Sequence, residues 1–352
     1  MHNYLFMDLL LNSNEVSTAE SQEDFVKIIN FLIKELVGDA FELKTNITED
    51  NTFKISITGL PDENKKVYQT NFDIGQFKMI YDVLYVLLSN ESFFPNIGKA
   101  SEKFKVPTIE LPNWTFLDMA MANNEPVYFD EERKELHHFI YTLCLHFLAR
   151  HEIRHIANGH IDYLLNINNT EFIENTNNGL TPTDSQTLEM DVDSCVFTGF
   201  LDGLINIPQQ LLFVPEKLRD HENIFESVLF CSKILFYCLP SKKISKTEEI
   251  VSASHPNSTL RYFFSFTAGL SFIQDLHPDL FELFGKTYQK SWSFFEIIHE
   301  QGLIDFDKFI ADYNWTMSDE GQDYANKIWN NWNVWVPKLE PYTYLKLAPP
   351  EE

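Results

Sequence analysis

The 352-residue sequence predicts an α+β fold that is predominantly helical. Two short segments in the first quarter of the chain alternate polar with apolar residues, as β-strands do. Most of the chain after Asp130 instead has the three-to-four spacing of amphipathic helices, and hydrophobic residues make up 44% of the whole. We therefore predict an N-terminal α/β segment, residues 1–98, followed by a mainly helical domain, residues 99–352.

The N-terminal segment begins with a helical pattern over residues 21–36, whose apolar side chains lie on one face. Residues 52–57 then alternate polar with apolar, a turn-like stretch follows at 59–64, and an extended pattern resumes at 67–72. This succession predicts a β-hairpin. Helical spacing returns over residues 76–88 and closes the segment.

The second part of the chain contains long helical patterns over residues 130–160 and 184–204, and several more from residue 216 onward. A polar stretch, 166–183, separates the first two patterns and is long enough to be a lid or a binding loop. Residues 126–129, just before the first pattern, form a candidate edge strand. An extended peptide could lie against such a strand.

The balance of charge limits the expected partners. The chain has 27 Lys and Arg against 52 Asp and Glu, a formal net charge of −25. Such a surface repels phosphate backbones and anionic membranes, so we expect a protein or peptide partner and no nucleic acid. No apolar run reaches the roughly 20 residues of a membrane-spanning helix, and the N-terminus lacks a secretory signal pattern. We expect a cytoplasmic protein without membrane insertion, whose oligomeric state the sequence does not indicate.

The strongest chemical signal is an HExxH motif within the first long helical pattern. Residues four apart share a helix face, so His151 and His155 can hold one zinc ion. Glu152 would then lie beside the open side of that ion, where a carboxylate can take a proton from water. Two histidines do not complete a catalytic zinc site, which normally has three protein ligands.

The next helical pattern offers the third ligand. Glu189 and Asp193 are four residues apart, so we predict that Glu189 binds the metal and that Asp193 orients a ligating histidine from behind. Asp191 could compete for these roles, but it is two residues from Glu189 and points elsewhere on the helix. His160 is one residue short of the metzincin ligand spacing, so we expect it behind the ligands or on the surface.

A third motif lies further along the chain, where His255 precedes a proline and Arg261 follows six residues later. Near the metal, His255 could donate a hydrogen bond to the oxyanion that forms during peptide hydrolysis. Arg261 could bind a substrate or product carboxylate, or it could pair with Asp193. The simpler alternative is that His255 is an ordinary residue at the start of a helix.

Together the three motifs resemble those of the gluzincin metallopeptidases. The most similar group is the one typified by the heat-shock membrane peptidases and the CAAX-processing proteases, which carries an AHEIxHIANG-like helix, an ExxAD helix and a downstream HPxxxxR motif. The matching residues are 151–159, 189–193 and 255–261, in the same order. The resemblance implies a zincin-like catalytic domain with one Zn²⁺ per chain. It implies His151, His155 and Glu189 as ligands, Glu152 as catalytic base, Asp193 behind the ligands, and His255 and Arg261 as transition-state assistants.

The sequence departs from this group at Arg150, Arg154 and Val192, and the membrane helices of its best-known members are missing. We expect a soluble relative, a zinc-dependent endopeptidase that hydrolyses peptide bonds of a protein substrate. Two alternatives stay open. One is a highly selective regulatory or phage-defence-type protease whose polar loop, 166–183, covers the site. The other is a non-catalytic protein-binding module that zinc stabilises.

Overall fold

The computed structural model describes residues 18–48, 55–60, 66–101, 128–168, 180–205, 215–238, 247–300 and 306–349. Helices dominate the described residues and a small three-stranded sheet lies near the N-terminus, which confirms the α+β, predominantly helical fold class. In this part of the chain, no helix combines the length and the apolarity that are needed to cross a membrane.

The N-terminal elements are α1 (Thr18–Val37), β1 (Glu42–Thr48), β2 (Ile55–Leu60), β3 (Val67–Asp73) and α2 (Ile74–Leu88). The central strand is β3, which pairs antiparallel with β2 and parallel with β1. The two predicted helices and the predicted hairpin are therefore confirmed. The sequence does not predict β1, because Leu43 and Ile47 are its only apolar residues and three polar residues, 44–46, separate them. Its pairing with β3 makes it a strand.

A second, two-stranded sheet precedes the helix that carries the HExxH motif. Strand β4 (Ala100–Ser101) pairs antiparallel with β5 (Tyr128–Phe129), which is the second half of the candidate edge strand. The first half, residues 126–127, lies outside the described residues. Helix α3 (Glu131–Ala157) follows at once, because the side chain of Asp130 accepts a hydrogen bond from the backbone of Arg133 and caps the first turn.

Helix α3 ends at Ala157, two residues before Gly159, whose left-handed φ of 82° turns the chain away from the helix. Helix α4 (His160–Asn168) begins directly after this turn, and α5 (Pro182–Ile205) follows. The polar stretch 166–183 is thus helical at both of its ends. Its central residues, 169–179, lie outside the described part of the chain, so its role as a lid stays a prediction.

The later elements are a 3₁₀ turn (Glu216–Leu218), α6 (His221–Lys233), a π-helical turn (Ile234–Cys238), α7 (Thr247–Ser252), α8 (Ser258–Leu276), a second 3₁₀ turn (Pro278–Leu280), α9 (Phe281–Lys290), α10 (Ser293–Glu300), α11 (Phe306–Thr316) and α12 (Asp319–Leu339). Helix α8 matters most for the site. It begins at Ser258, two residues after Pro256, because Asn257 accepts a hydrogen bond from the backbone of Leu260 and caps the helix.

The core surrounds α3. Helices α1 and α2 pack against it from one side, where Phe25 and Phe77 lie in one hydrophobic cluster with Ile140. Helix α5 packs against α3 as well and joins a second cluster, in which Leu188 lies with Trp335 of α12. Each such buried side chain stabilises the fold by about 1.5–3 kcal/mol. Residues before and after position 98 share the first cluster, and the division into two domains there stays a prediction.

Candidate metal centre

The three predicted ligands lie together at the contact of α3 with α5. The Nε2 atoms of His151 and His155, one turn apart on α3, are 3.2 Å from each other. Glu189 of α5 places Oε2 at 3.4 Å from the first nitrogen and Oε1 at 3.4 Å from the second. One ligand atom from each side chain therefore lies within 4.8 Å of the other two. This buried group can hold a metal ion.

The electrostatic surroundings keep Glu189 in the form that binds a cation. Burial opposes its ionisation, but the neighbouring His255, His151 and His155 outweigh this effect and hold the pKa of Glu189 well below its usual range. Its Oε2 atom has no hydrogen-bond partner among the described residues. A buried carboxylate oxygen without a partner is costly, and a bound cation removes that cost.

Glu152 lies beside the ligand cluster, buried next to His151 on α3. Its Oε2 atom also has no hydrogen-bond partner within the described part of the structure. Burial raises the pKa of Glu152 to about 7, while the nearby His151 acts in the opposite direction. A carboxyl group with a pKa near neutrality can both accept and return a proton, as a general base requires.

Asp193 supports His151 from behind, as the sequence predicts for its position. The Nδ1 atom of His151 lies 3.1 Å from Oδ1 of Asp193, whose side chain is fully buried. Arg261, in the first turn of α8, donates to both oxygens of Asp193 at 2.7 and 2.8 Å. Of the two partners that the sequence suggests for Arg261, this ion pair is the contact that the structure contains. Such outer contacts orient a ligating imidazole.

His155 has a different support. Its Nδ1 atom lies 3.1 Å from Nδ1 of His160, which is buried directly behind it. The Nε2 atom of His160 lies 3.2 Å from Oδ2 of Asp191, and Asn158 donates to the same oxygen at 2.6 Å. Asp191 thus points away from the ligand position, as its spacing from Glu189 predicts, and it meets His160 there.

Neither the position of Asn158 nor the contact of His160 with Asp191 is predicted from the sequence. The available signal is the Asn158-Gly159 helix stop, which turns the chain back so that α4 begins beside the last turn of α3. That turn places His160 next to His155. The partner across the helix contact, Asp191, cannot be read from local spacing.

His255 lies at the more open side of the cluster. Its Nε2 atom is 3.5 Å from Oε1 of Glu189, and its Nδ1 atom is 2.9 Å from the hydroxyl of Ser254. The side chain of His255 is 34% exposed, whereas that of Glu189 is 5% exposed. Desolvation by the surrounding protein lowers the pKa of His255 although part of the ring remains accessible. A neutral His255 is therefore accessible to a molecule that approaches the ligands.

The acidic residues of the site outnumber the cations that contact them. Glu189, Asp191 and Asp193 are all buried, and Arg261 is the only Lys or Arg within ion-pair distance of them among the described residues. Buried charges are normally paired or bound to metal ions. Three buried carboxylates with a single arginine therefore favour a cation at this position.

No family model matches this sequence, and neither the curated proteins nor the solved structures include a significant match. The site is thus defined by its own geometry, as a buried His-His-Glu metal-binding group with an acid beside it. The likeness to gluzincin metallopeptidases stays a prediction from the three motifs.

Proposed function

We propose that the protein is a zinc-dependent endopeptidase that hydrolyses peptide bonds of a protein substrate. The observation that carries this proposal is the convergence of His151, His155 and Glu189, whose ligand atoms are separated by 3.2 to 3.4 Å. Tetrahedral zinc with bonds of about 2.0–2.1 Å separates its ligand atoms by about 3.3–3.4 Å. Each of these pairs of donor atoms therefore has the spacing of a zinc site, with a different oxygen of Glu189 near each histidine, and one atom from each residue lies within 4.8 Å of the other two.

The chemistry of the donors supports the same choice. Calcium and magnesium prefer sites built from oxygen atoms, whereas two imidazoles and one carboxylate are a common set for catalytic zinc with an open fourth position. When bound, zinc supplies a Lewis acid that polarises a carbonyl group and acidifies water at neutral pH. The remaining steps belong to residues of this chain.

Glu152 would act as general base and then as general acid. Its carboxylate accepts a proton from the attacking water and returns it to the leaving amine, which a pKa of about 7 allows near neutral pH. His255 would stabilise the negative charge that develops on the carbonyl oxygen. If the Ser254 hydroxyl donates to Nδ1, the proton of His255 lies on Nε2, which can then donate to that oxygen.

Glu152 also favours catalysis over the alternative of a non-catalytic module that zinc stabilises. A structural zinc site needs four ligands and no further acid, whereas this site keeps a buried carboxyl group with one unpartnered oxygen beside three ligands. Leaving such a group unpaired costs stability, so its presence favours a chemical role.

The test compares wild type with Glu152→Gln in a host lysate, with new N-termini mapped by mass spectrometry. We expect one or a few specific cleavages with wild type and a loss of at least about 100-fold with Glu152→Gln, while both proteins hold about one zinc per chain. Glu135→Gln, an exposed substitution on the same helix, is the matched control and should cleave like wild type. Equal cleavage by Glu152→Gln and wild type would refute the assigned role of Glu152.

A further inference from the structure

We propose that His160, Asp191 and Asn158 form a second support of the metal centre, which sets the tautomer and the ring orientation of His155. We call these three residues the His155 support. The proposal rests on the proposed zinc site and extends it, because it assigns positioning roles to residues that the proposed function does not use. The proposal follows from the contacts of the ring nitrogens of His155 and His160.

The position of each proton follows from these contacts. The Nε2 atom of His155 faces His151 and Glu189, so it must keep a free lone pair to bind metal, and its proton lies on Nδ1. That proton points at Nδ1 of His160, which must accept it. The proton of His160 is then on Nε2, which lies 3.2 Å from Oδ2 of Asp191, close enough for electrostatic attraction but without the geometry of a hydrogen bond. This assignment gives the Nδ1 proton of His155 an acceptor and places the Nε2 proton of His160 beside a carboxylate.

Asp191 is held in place by groups that leave its charge intact. Asn158 donates to Oδ2 at 2.6 Å, and the thiol of Cys195 lies 3.7 Å from Oδ1. Both are neutral, in contrast to Arg261, which neutralises Asp193 on the other side of the site. The full negative charge of Asp191 therefore acts through His160 on His155. Outer carboxylates of this kind raise the basicity of a ligating imidazole.

The chain forms the His155 support with one tight turn. Asn158 and His160 flank Gly159, so both can reach the same oxygen of Asp191 from adjacent positions in the sequence. A Cβ atom at Gly159 would come within 2.8 Å of the backbone of Tyr342, so the turn is also held from outside. The same three-residue turn thus ends α3, begins α4 and supports His155.

The test measures zinc affinity by competition with a chromophoric chelator. We expect His160→Leu and Asp191→Asn to bind zinc about 10–100-fold more weakly than wild type. His160→Gln, which can return an acceptor oxygen near Nδ1 of His155, should recover part of the loss. The matched control is His137→Leu, which removes another buried histidine of α3 whose ring bonds to the carbonyl of Tyr81 and which should bind zinc like wild type.

A second measurement separates positioning from folding. In the presence of chelator, circular dichroism should show the same helix content for wild type and Asp191→Asn, while the visible spectrum of bound cobalt should differ between them. If both His160→Leu and Asp191→Asn bind zinc as tightly as wild type, with the same cobalt spectrum, the His155 support is refuted and the zinc peptidase stands. If wild type itself binds no zinc, the proposed function fails and this proposal fails with it.

Discussion

Arg261 binds both carboxylate oxygens of Asp193, with Nε 2.7 Å from Oδ2 and Nη2 2.8 Å from Oδ1. Because Asp193 is fully buried behind His151, loss of the guanidinium leaves an uncompensated charge in the core. We expect Arg261→Met to lower the free energy of unfolding by about 3 kcal/mol, measured by urea denaturation without metal.

The control for Arg261→Met is Lys286→Met, which breaks the exposed ion pair of Lys286 with Glu282 on α9 and should leave stability nearly unchanged. Arg261→Lys keeps the charge but loses the two-point geometry, so it should lie between wild type and Arg261→Met. If Arg261→Met is as stable as wild type, the pair with Asp193 does not hold this part of the site together.

The left-handed backbone of Gly159, just after the end of α3, should make any side chain at this position destabilising. Its φ of 82° disfavours a side chain, and a Cβ atom would meet the backbone of Tyr342 and Thr343 at 2.8 and 2.9 Å. We expect Gly159→Ala to destabilise the protein by about 2 kcal/mol and to weaken zinc binding, measured by thermal unfolding and chelator competition. The matched control is Gly203→Ala on α5. Outside the neighbouring backbone of its own helix, none of the described residues places an atom within 4 Å of the added Cβ, so Gly203→Ala should be neutral or stabilise by about 0.5–1 kcal/mol. Equal effects of the two substitutions would contradict this account.

Because His137 is buried, we expect the stability of the protein to depend on pH. Burial lowers the pKa of His137 to about 4 from the ordinary 6.5 of an unfolded chain. Between pH 4 and pH 6.5 the unfolded chain therefore binds more protons at His137 than the folded protein does. The contribution of His137 to the free energy of unfolding is complete above pH 6.5 and is lost as the pH falls towards 4. The loss is on the order of 3 kcal/mol.

His137→Gln removes this titration and keeps a donor for the carbonyl of Tyr81. We expect the free energy of unfolding of wild type minus that of His137→Gln to decrease as the pH falls through this range. Urea denaturation at several pH values measures the difference. A difference that stays constant with pH would show that His137 does not titrate in this way.

If Glu189 is a ligand, zinc should stabilise the folded protein only when this carboxylate is present. A ligand that binds only the folded state stabilises it by about 2.7 kcal/mol at a free concentration of 100 times its Kd. Zinc should therefore raise the melting temperature of wild type by several degrees and should not raise that of Glu189→Ala. Glu135→Ala, at an exposed position of α3, should respond like wild type. An equal response of Glu189→Ala would remove Glu189 from the ligand set.

The helical spacing of the sequence already determines half of the candidate site. His151 and His155 lie on one face of α3 because they are four residues apart, and Gly159 ends that helix because it tolerates a left-handed φ. The spacing of Glu189 and Asp193 places both on one face of α5 for the same reason. These are local properties of a helix, so the sequence predicts them without knowledge of the rest of the fold.

The contacts between helices are what only the tertiary structure decided. Asp191 contacts His160, and Arg261 pairs with Asp193, because α5 packs against both α3 and α8 at these positions. Strand β1 likewise exists through its pairing with β3 rather than through its own pattern. Such contacts join residues 25 to 68 positions apart and depend on how whole elements cross. The sequence alone therefore determined which residues are candidate ligands, and the packing of the helices brought Glu189 to the two histidines and decided which residues lie behind them.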